Sequence, residues 1–347
     1  MNQESSRSFL PAGKLPARQL EAVLAALSRR DPRVLVGPRV GEDAAVLEMG
    51  ERCLVVTTDP VTLASERIGW YAVHVNANDV AVMGAKPRWF FPVLLLPEGA
   101  ATEVMAAGIM HDVAAACDGL GVTVCGGHTE ITAGLDRPIV IGQMLGEVSR
   151  EHLVRKSELQ IGDRLLITRG VAIEGTAILA REKADALKGR VPAAAIASAR
   201  EWLTDPGISV VEAALAAVEA GGVRAMHDPT EGGVLTGLWE LAAASGCGLR
   251  VAGERIPVYP ETRAVCEALR LDPLGLIASG ALLIGAPAFA CDAITAALER
   301  RHIAVTDIGE VVPIGEGLTI ELRGIRRPLE PPSRDELARL SEAPPCA

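Results

Sequence analysis

The chain has 347 residues, of which 49% are apolar, and 34 basic against 44 acidic side chains give a net charge of −10. This length predicts two domains of ordinary size, and the negative charge argues against a protein that wraps nucleic acid through a basic face. Apolar runs such as residues 93–96 are too short to cross a bilayer, and the first residues do not resemble a signal peptide, so we expect a soluble cytoplasmic protein with no membrane partner.

Hydrophobic periodicity and turn residues predict the elements of the first half. Apolar residues at helical spacing predict a first helix within residues 20–27, which ends before Asp31-Pro32. Strands are predicted at residues 44–47, 54–57, 88–96, 122–125 and 138–148, and helices at residues 67–83 and 103–117. The strands alternate with helices but need not run parallel, so this half is assigned to the α/β (α+β) class without a dinucleotide-binding label.

A polar stretch near residue 155 predicts a domain boundary, with domains at residues 1–155 and 156–327 and a tail at residues 328–347. In the second domain, strands are predicted at residues 164–168, 223–226, 248–251, 281–285, 305–311 and 318–322. Helices are predicted from residue 175 and at residues 193–202, 210–220, 233–244, 261–269 and 289–300. The tail is rich in proline and charge, and we expect it to lie over the surface or to be partly mobile.

Acidic residues beside glycine or a helix end recur along the chain. Mg²⁺ prefers oxygen ligands and keeps phosphate oxygens in its shell, so carboxylates from separate loops suit a nucleotide–metal complex. Any one of these aspartates alone is explained as a turn or a solvated position, whereas four in separate motifs favour a site. The segments are Gly41-Glu42-Asp43-Ala44-Ala45-Val46, Thr57-Thr58-Asp59, Asn76-Ala77-Asn78-Asp79, Gly126-Gly127-His128-Thr129-Glu130 and His227-Asp228-Pro229-Thr230-Glu231-Gly232-Gly233.

In this order, the segments resemble the superfamily of aminoimidazole ribonucleotide (AIR) synthase (PurM), thiamine-monophosphate kinase, selenophosphate synthetase and the hydrogenase-maturation HypE proteins. Met226-His227-Asp228-Pro229 and Gly175-Thr176-Ala177-Ile178 are most similar to the HypE branch, whereas Gly126-Gly127-His128-Thr129 also resembles selenophosphate synthetase. The resemblance implies a two-domain PurM-like fold, a homodimer whose N-terminal domains share a β-barrel, and an ATP cleft beside that barrel.

The resemblance also implies the chemistry and the main site residues. Asp43, Asp59, Asp79 and Asp228 would bind Mg²⁺, and Asp43, Asp79, His128 and Asp228 are the candidate catalytic set. The γ-phosphoryl group of ATP would pass to an oxygen of a small-molecule or carbamoyl acceptor, with hydrogenase-maturation proteins as partners. Two alternatives stay open: a small-molecule kinase with another acceptor, and a nucleotide-binding assembly protein without turnover.

A second group of residues is predicted to contact the nucleotide. Asn76 lies on the same helical stripe as Asp79, and the glycines admit close backbone approach to phosphate. For the polar members, turn or helix-capping chemistry is about as good an explanation, and for Lys14 a mobile surface lysine is the better explanation. His128 replaces an aspartate of most relatives and is either an acid, base or phosphate contact or a hydrogen-bonded loop histidine. The candidates are Lys14, Gly41, Asn76, Gly127, Thr129, Glu130, Thr230 and Glu231.

The cysteines fit a reducing compartment, because the seven are scattered without a Cys-x-x-Cys pair. In HypE proteins a terminal Pro-Arg-x-Cys sequence carries the cysteine that accepts a carbamoyl group. Here the chain ends Pro344-Pro345-Cys346-Ala347, so the cysteine is not terminal and the arginine is missing. We expect Cys346 to be an ordinary tail thiol that carries no thiocyanate, while a role as carbamoyl acceptor is the alternative.

Overall fold

The computed structural model describes residues 13–15, 17–27, 31–62, 64 and 66–342, which form two mixed β-sheets with helices packed on them. Cys346 lies outside the described residues. The first half contains α1 (Ala17–Leu24), β1 (Val34–Val36), β2 (Ala45–Met49), β3 (Arg52–Val61), α2 (Ile68–Val82), β4 (Lys86–Phe90), β5 (Val93–Pro97), α3 (Glu103–Leu120), β6 (Thr123–Val124), β7 (His128–Thr132) and β8 (Ile139–Ser149).

The second half is built around the other sheet. It contains β9 (Arg164–Thr168), α4 (Ile173–Glu182), α5 (Ala184–Leu187), α6 (Ala193–Glu201), α7 (Val211–Ala220), β10 (Ala225–His227), α8 (Gly233–Ser245), β11 (Gly248–Ala252), α9 (Pro260–Leu269), β12 (Leu283–Ala286), α10 (Ala288–Glu299), β13 (Val305–Val312), β14 (Leu318–Leu322), β15 (Ile325–Pro328) and α11 (Glu336–Glu342).

In the first sheet the strand order is β1-β2-β3-β8-β4-β6, and β5 pairs with β8 and β7. The long strands β3 and β8 pair antiparallel along their length, from Arg52 opposite Ser149 to Val61 opposite Val140. Their residues alternate between buried and less buried positions, as a strand with one covered face requires. Helix α2 covers that face and is buried nearly all round, because the second half packs on its other side.

In the second sheet the strand order is β10-β12-β9-β13-β11-β14-β15. The central strand β9 is buried on both faces: Leu166 joins a core shared with the first half, whereas Leu165 and Ile167 face a second core beneath α8. A nearly continuous apolar strand is what two covered faces demand. The sheet therefore has helices on both sides, and α8 lies on the face opposite α4 and α7.

Direct hydrogen bonds join the two halves. The Asn78 side chain on α2 donates to Ile208 O (2.9 Å) and accepts from Val210 N–H (2.8 Å), and Trp70 Nε1 donates to Leu203 O (3.1 Å). Buried hydrogen bonds of defined geometry fix the position of α2 against the second half. Within the described chain, every helix is too short or too polar to span a membrane.

The structure corrects several local predictions. The strand predicted at residues 88–96 is broken at Phe91-Pro92 into β4 and β5, because proline has no N–H to donate to the ladder. Asp59 and Pro60 lie inside β3 and start no turn, and the Gly126-Gly127 step leads into strand β7 and not into a helix. The expected tail begins at the last residue of β15 and contains α11, and its buried Leu329 and Leu337 pack against the rest of the protein.

Candidate active site

Asn76 fixes the geometry where β3 meets α2. Its Oδ1 accepts from Asp59 N–H (3.0 Å), and its Nδ2 donates to Ala72 O (2.8 Å). The opposing residue on β8 is Gly142, where an added Cβ would lie 2.3 Å from Asn76 Nδ2. The glycine thus lets the amide reach the strand, and Asp59 is held at a fixed position by its own backbone.

Asp79 lies one helical turn after Asn76 and is buried. The Thr57 hydroxyl on β3 is 2.8 Å from Asp79 Oδ2 and 2.9 Å from Asp43 O, which connects three separate segments. Burial first, and then the charges of Asp59, Asp228 and Asp43, hold the pKa of Asp79 well above its usual range. Carboxyl groups this close repel one another as anions, so the group favours a bound cation or proton.

Asp43 is the carboxylate of the cluster that forms direct ion pairs within the described residues. Lys156 Nζ, whose side chain is fully buried, lies 2.7 Å and 2.6 Å from its two oxygens. His227 Nδ1 lies 3.2 Å from Asp43 Oδ2, and His227 Nε2 lies 2.7 Å from Glu240 Oε2. Burial alone would raise the pKa of Asp43, but Lys156 and His227 outweigh it and lower the pKa.

The same network makes His227 a cation. Burial and Lys156 lower its pKa, but Asp43 and the hydrogen bonds to Asp43 and Glu240 raise it to about 9. Conversely, burial would raise the pKa of Glu240, whereas the hydrogen bond from His227 brings it to about 2. At neutral pH the linked side chains therefore carry alternating charges, in the order Lys156, Asp43, His227 and Glu240.

Asp228 forms no such ion pair within the described residues, although the charges of His227 and Lys156 act on it at longer range. It follows β10, is 1% exposed, and neither carboxyl oxygen has a hydrogen-bond partner in the part of the chain that is described. Burial and then Asp43 raise its pKa to about 7. The turn after it places Gly232 (φ 79°) and Gly233 (φ 64°) in the left-handed region before α8, where L side chains are disfavoured. The turn that follows Asp228 therefore depends on glycine.

Lys14, in the N-terminal segment, contacts the turn that follows Asp228. The residue is solvent-exposed, yet its ammonium donates to Thr230 Oγ1 (3.2 Å) and its N–H donates to Glu231 Oε2 (3.3 Å). Burial of the ammonium would lower its pKa, but nearby carboxylates, Glu240 first, raise it. For Asp59, burial raises the pKa to about 6 although Lys14 lowers it.

A group of possible metal ligands emerges from this geometry. Ligand atoms of Asp43, His227 and Asp228 lie within 4.8 Å of one another. Both His227 nitrogens are already engaged and the ring is protonated, so we exclude the imidazole as a ligand. The carboxylates that remain, above all Asp228, provide the oxygen donors that a hard divalent cation prefers.

The structure brings together most of the residues predicted from the sequence, but not the His128 loop. Gly41 lies beside α8, where its Cβ position is 3.6 Å from Glu240 O, and Asn76, Thr230 and Glu231 take the places described above. By contrast, Gly127, His128, Thr129 and Glu130 lie at β7 on the exposed edge of the first sheet. His128 Nε2 lies within hydrogen-bond distance of Glu130 Oε2 (3.1 Å). Among the described residues of a single copy of the chain, neither side chain contacts the aspartate cluster.

Three residues of the network were not predicted from the sequence. His227 stood in the quoted motif but was passed over for its neighbour Asp228, and Glu240 is an ordinary glutamate on an amphipathic helix. Lys156 lies in the polar stretch that indicated a domain boundary. A lysine in such a stretch gives no signal of burial, because long-range packing alone makes it a partner of Asp43.

Comparison with known proteins assigns the family. Models of the AIR synthase related protein match residues 41–148 (N-terminal domain) and 160–321 (C-terminal domain). The carbamoyl dehydratase HypE of Escherichia coli K12 is 30% identical over 286 residues, 81% of each chain. This chain therefore belongs to the AIR synthase-related family, with HypE proteins as relatives.

Solved structures agree with this assignment. A HypE–HypF complex has a TM-score of 0.73 at 22% identity, over 90% of this chain and 98% of that one. A HypE protein in complex with ATP has a TM-score of 0.71 at 24% identity, over 92% and 91%. At these identities the two structures show the shared fold, and the expected two-domain PurM-like α/β architecture is confirmed.

Proposed function

We propose that this protein is an ATP-dependent enzyme of hydrogenase maturation, of the carbamoyl dehydratase type represented by its HypE relatives. The observation that carries the proposal is the cluster of Asp43, Asp59, Asp79 and Asp228, in which Asp79 and Asp228 are buried with raised pKa values and form no ion pair among the described residues. Burial of carboxylates in this state is costly unless a ligand supplies positive charge. The family relation and the fold of a HypE–ATP complex indicate which ligand that is.

The residues fit Mg-ATP. Both Asp228 oxygens lack partners in the described chain, and oxygen donors from four segments converge. We assign Mg²⁺ to Asp59, Asp79 and Asp228 together with Asp43, and the phosphates to Lys14, Thr230 and the N-terminal turn of α8. Mg²⁺ there would neutralise phosphate charge and so favour transfer of the γ-phosphoryl group to an acceptor oxygen.

The chain itself supplies positioning and charge. Lys156 and His227 hold the Asp43 carboxylate in one orientation and keep it ionised at neutral pH. Lys14 connects the N-terminal segment to the Thr230–Glu231 turn, and it would exclude water from the phosphate end of the cleft. Preorganised charge of this kind is the main source of catalysis in phosphoryl transfer, which explains why the cleft shows no side-chain nucleophile.

The assembly is part of the proposal. We place a homodimer at the edge of the first sheet, which is supported by exposed apolar residues on β6 and β7, Val124 (37%) and Ile131 (66%). A role for His128 in catalysis would require this second copy. The domain limits at residues 155 and 327 and a cytoplasmic location belong to the same proposal. A carbamoyl-transferring partner of the HypF kind is supported by the fold shared with a HypE–HypF complex.

Turnover of ATP with a small thiocarbamate tests the function. We expect the purified protein with ATP, Mg²⁺ and S-ethyl thiocarbamate to release ADP, phosphate and ethyl thiocyanate. A phosphorylated thiocarbamate as the final product would favour the kinase alternative. ATP binding without any turnover would favour the assembly protein.

A further inference from the structure

A second buried carboxyl group lies outside the aspartate cleft, in the first turn of α4. Glu174 is 5% exposed, and its Oε2 has no hydrogen-bond partner in the described part of the chain. Ser279 is fully buried, and its hydroxyl likewise has no partner there. Buried polar groups are nearly always paired, so two adjacent exceptions indicate a ligand that pairs with both.

Backbone contacts hold the two groups side by side. Glu174 N–H donates to Ser279 O (3.3 Å), and Gly175 N–H donates to Ile277 O (3.1 Å). The approach is so close that a Cβ on Gly175 would lie 2.5 Å from Leu276 Cγ. The position of Glu174 beside Ser279 is therefore set by the main chain and not by a flexible side chain.

The same loop, residues 274–280, connects this pair to the phosphate end of the cleft. A Cβ on Gly233 would lie 2.4 Å from Leu274 O and 2.8 Å from Leu276 O, so the loop also packs against the first turn of α8. Glu231, which precedes that turn, interacts electrostatically with Glu174. Glu174 and Ser279 thus lie one loop away from the residues assigned to the phosphates.

The chemistry of the pair favours an uncharged ligand. Burial raises the pKa of Glu174 to about 7, and Asp335 and Glu231 add to that rise. Ser279 is near enough to lower the pKa in part, although the two side chains lack hydrogen-bond geometry. Tyr71 on α2 is the further titratable group that interacts with Glu174 there. A half-protonated carboxyl and a hydroxyl can both donate and accept, whereas the surrounding acidic groups repel an anion.

We propose that Glu174 and Ser279 form the acceptor subsite and that they bind a small uncharged amide of the carbamoyl type. The inference rests on the proposed function, to which it adds the residues that hold the acceptor. The carbamoyl oxygen bonds to the γ-phosphorus of ATP as the bond from that phosphorus to the β,γ-bridging oxygen breaks and ADP leaves. The C–O bond then breaks, its electron pair leaves with the phosphate, and the nitrogen loses two protons as the C–N triple bond forms. Glu174 accepts one of these protons, and water takes the other.

Three variants test the subsite with S-ethyl thiocarbamate, ATP and Mg²⁺. We expect Glu174→Gln to raise the KM for the thiocarbamate about 10-fold and to lower kcat at least about 10-fold, because it loses both a contact and a proton acceptor. Ser279→Ala should raise KM by about 5-fold with little change in kcat. Glu182→Gln, at the exposed end of the same helix, is the matched control and should match the wild type.

Calorimetric titration with Mg-ATP separates this inference from the proposed function. All three variants should bind Mg-ATP within about 2-fold of the wild type, since none removes a phosphate or metal contact. Unchanged thiocarbamate kinetics in Glu174→Gln, or an equal loss of Mg-ATP affinity, would overturn the subsite. Wild-type protein that binds and hydrolyses Mg-ATP but ignores the thiocarbamate would refute the acceptor class alone. A wild type that does not bind Mg-ATP would refute the proposed function as well.

Discussion

The aspartate cluster contains the same residue type in two opposite electrostatic settings. Asp43 lies between Lys156 and His227, and these cations keep it ionised. Asp79 and Asp228 belong to the same cluster but have raised pKa values, and Asp228 has no hydrogen-bond partner within the described chain. The charge of Asp43 is balanced within the protein itself. The charges of Asp79 and Asp228 are balanced only when a bound ligand supplies positive charge. Asp43 is therefore an oriented and ionised carboxylate before any ligand binds, whereas Asp79 and Asp228 gain their balancing charge from the ligand.

Removing Lys156, a cation paired with Asp43, should have the largest effect on stability. Lys156→Met leaves the Asp43 carboxylate with His227 as its remaining ion-pair partner among the described residues, so we expect the free energy of unfolding to fall by about 3 kcal/mol, the lower end of the cost of breaking a buried pair. Urea denaturation followed by tryptophan fluorescence would measure it. The exposed Lys188→Met is the matched control, with an expected change within about 0.5 kcal/mol. Equal stability of the two variants would mean that Asp43 does not depend on Lys156.

Removing the charge of Asp228 should stabilise the ligand-free protein, but only at high pH. The folded-state pKa of Asp228 is about 7, above its usual 3.8, so its contribution to stability is fully present below about pH 3.8 and is lost as the pH rises through 7. Asp228→Asn should therefore unfold at higher urea than the wild type at pH 8, by a difference on the order of 2–4 kcal/mol. Near pH 4 the two should be similar.

The control for this pH dependence is Asp136→Asn, whose side chain is 91% exposed. It should follow the wild type at both pH values. An Asp228→Asn protein that is less stable than the wild type at pH 8 would show that Asp228 has a partner and does not wait for a ligand.

A smaller effect is expected at the edge of the first sheet. Ile131→Glu on β7 places a charge in the proposed dimer interface, so we expect the dimer to weaken by about 10- to 100-fold. Ile161→Glu, at an equally exposed isoleucine (67% against 66%) outside that sheet, should stay dimeric in light scattering. A wild-type monomer at micromolar concentration would remove the dimer, and with it the role of His128.

The smallest effect is expected from Cys346→Ala. Cys346 follows Pro344-Pro345 and lacks the preceding Pro-Arg-x sequence expected of a carbamoyl acceptor, so ATP binding and turnover of the free thiocarbamate should stay unchanged. Mass spectrometry after incubation with a carbamoyl donor system and ATP should find no thiocyanate on Cys346. A thiocyanate adduct there would make the thiol the carrier of the carbamoyl group.

The sequence predicted the local elements better than their partners. Helix α2 follows from Gly84 and Pro87, which end it, strand β8 follows from its apolar pattern, and each aspartate follows from its own motif. Lys156, His227 and Glu240 could not be predicted as a network, because they lie far apart in sequence and meet only when the two halves pack together. Glu174 gave no signal either, since an unpaired buried carboxyl differs from a solvated one only in its surroundings.

Binding of Mg-ATP to charge-neutral variants tests the central claim most directly. Calorimetric titration should show that the wild type binds ATP in the presence of Mg²⁺ and more weakly without it. Asp79→Asn and Asp228→Asn should each weaken Mg-ATP binding by about 10- to 100-fold, because each removes a charged oxygen ligand, whereas Asp136→Asn should bind as the wild type does. Unchanged Mg-ATP affinity in both Asp79→Asn and Asp228→Asn would contradict the assignment of this cleft to the nucleotide and its metal.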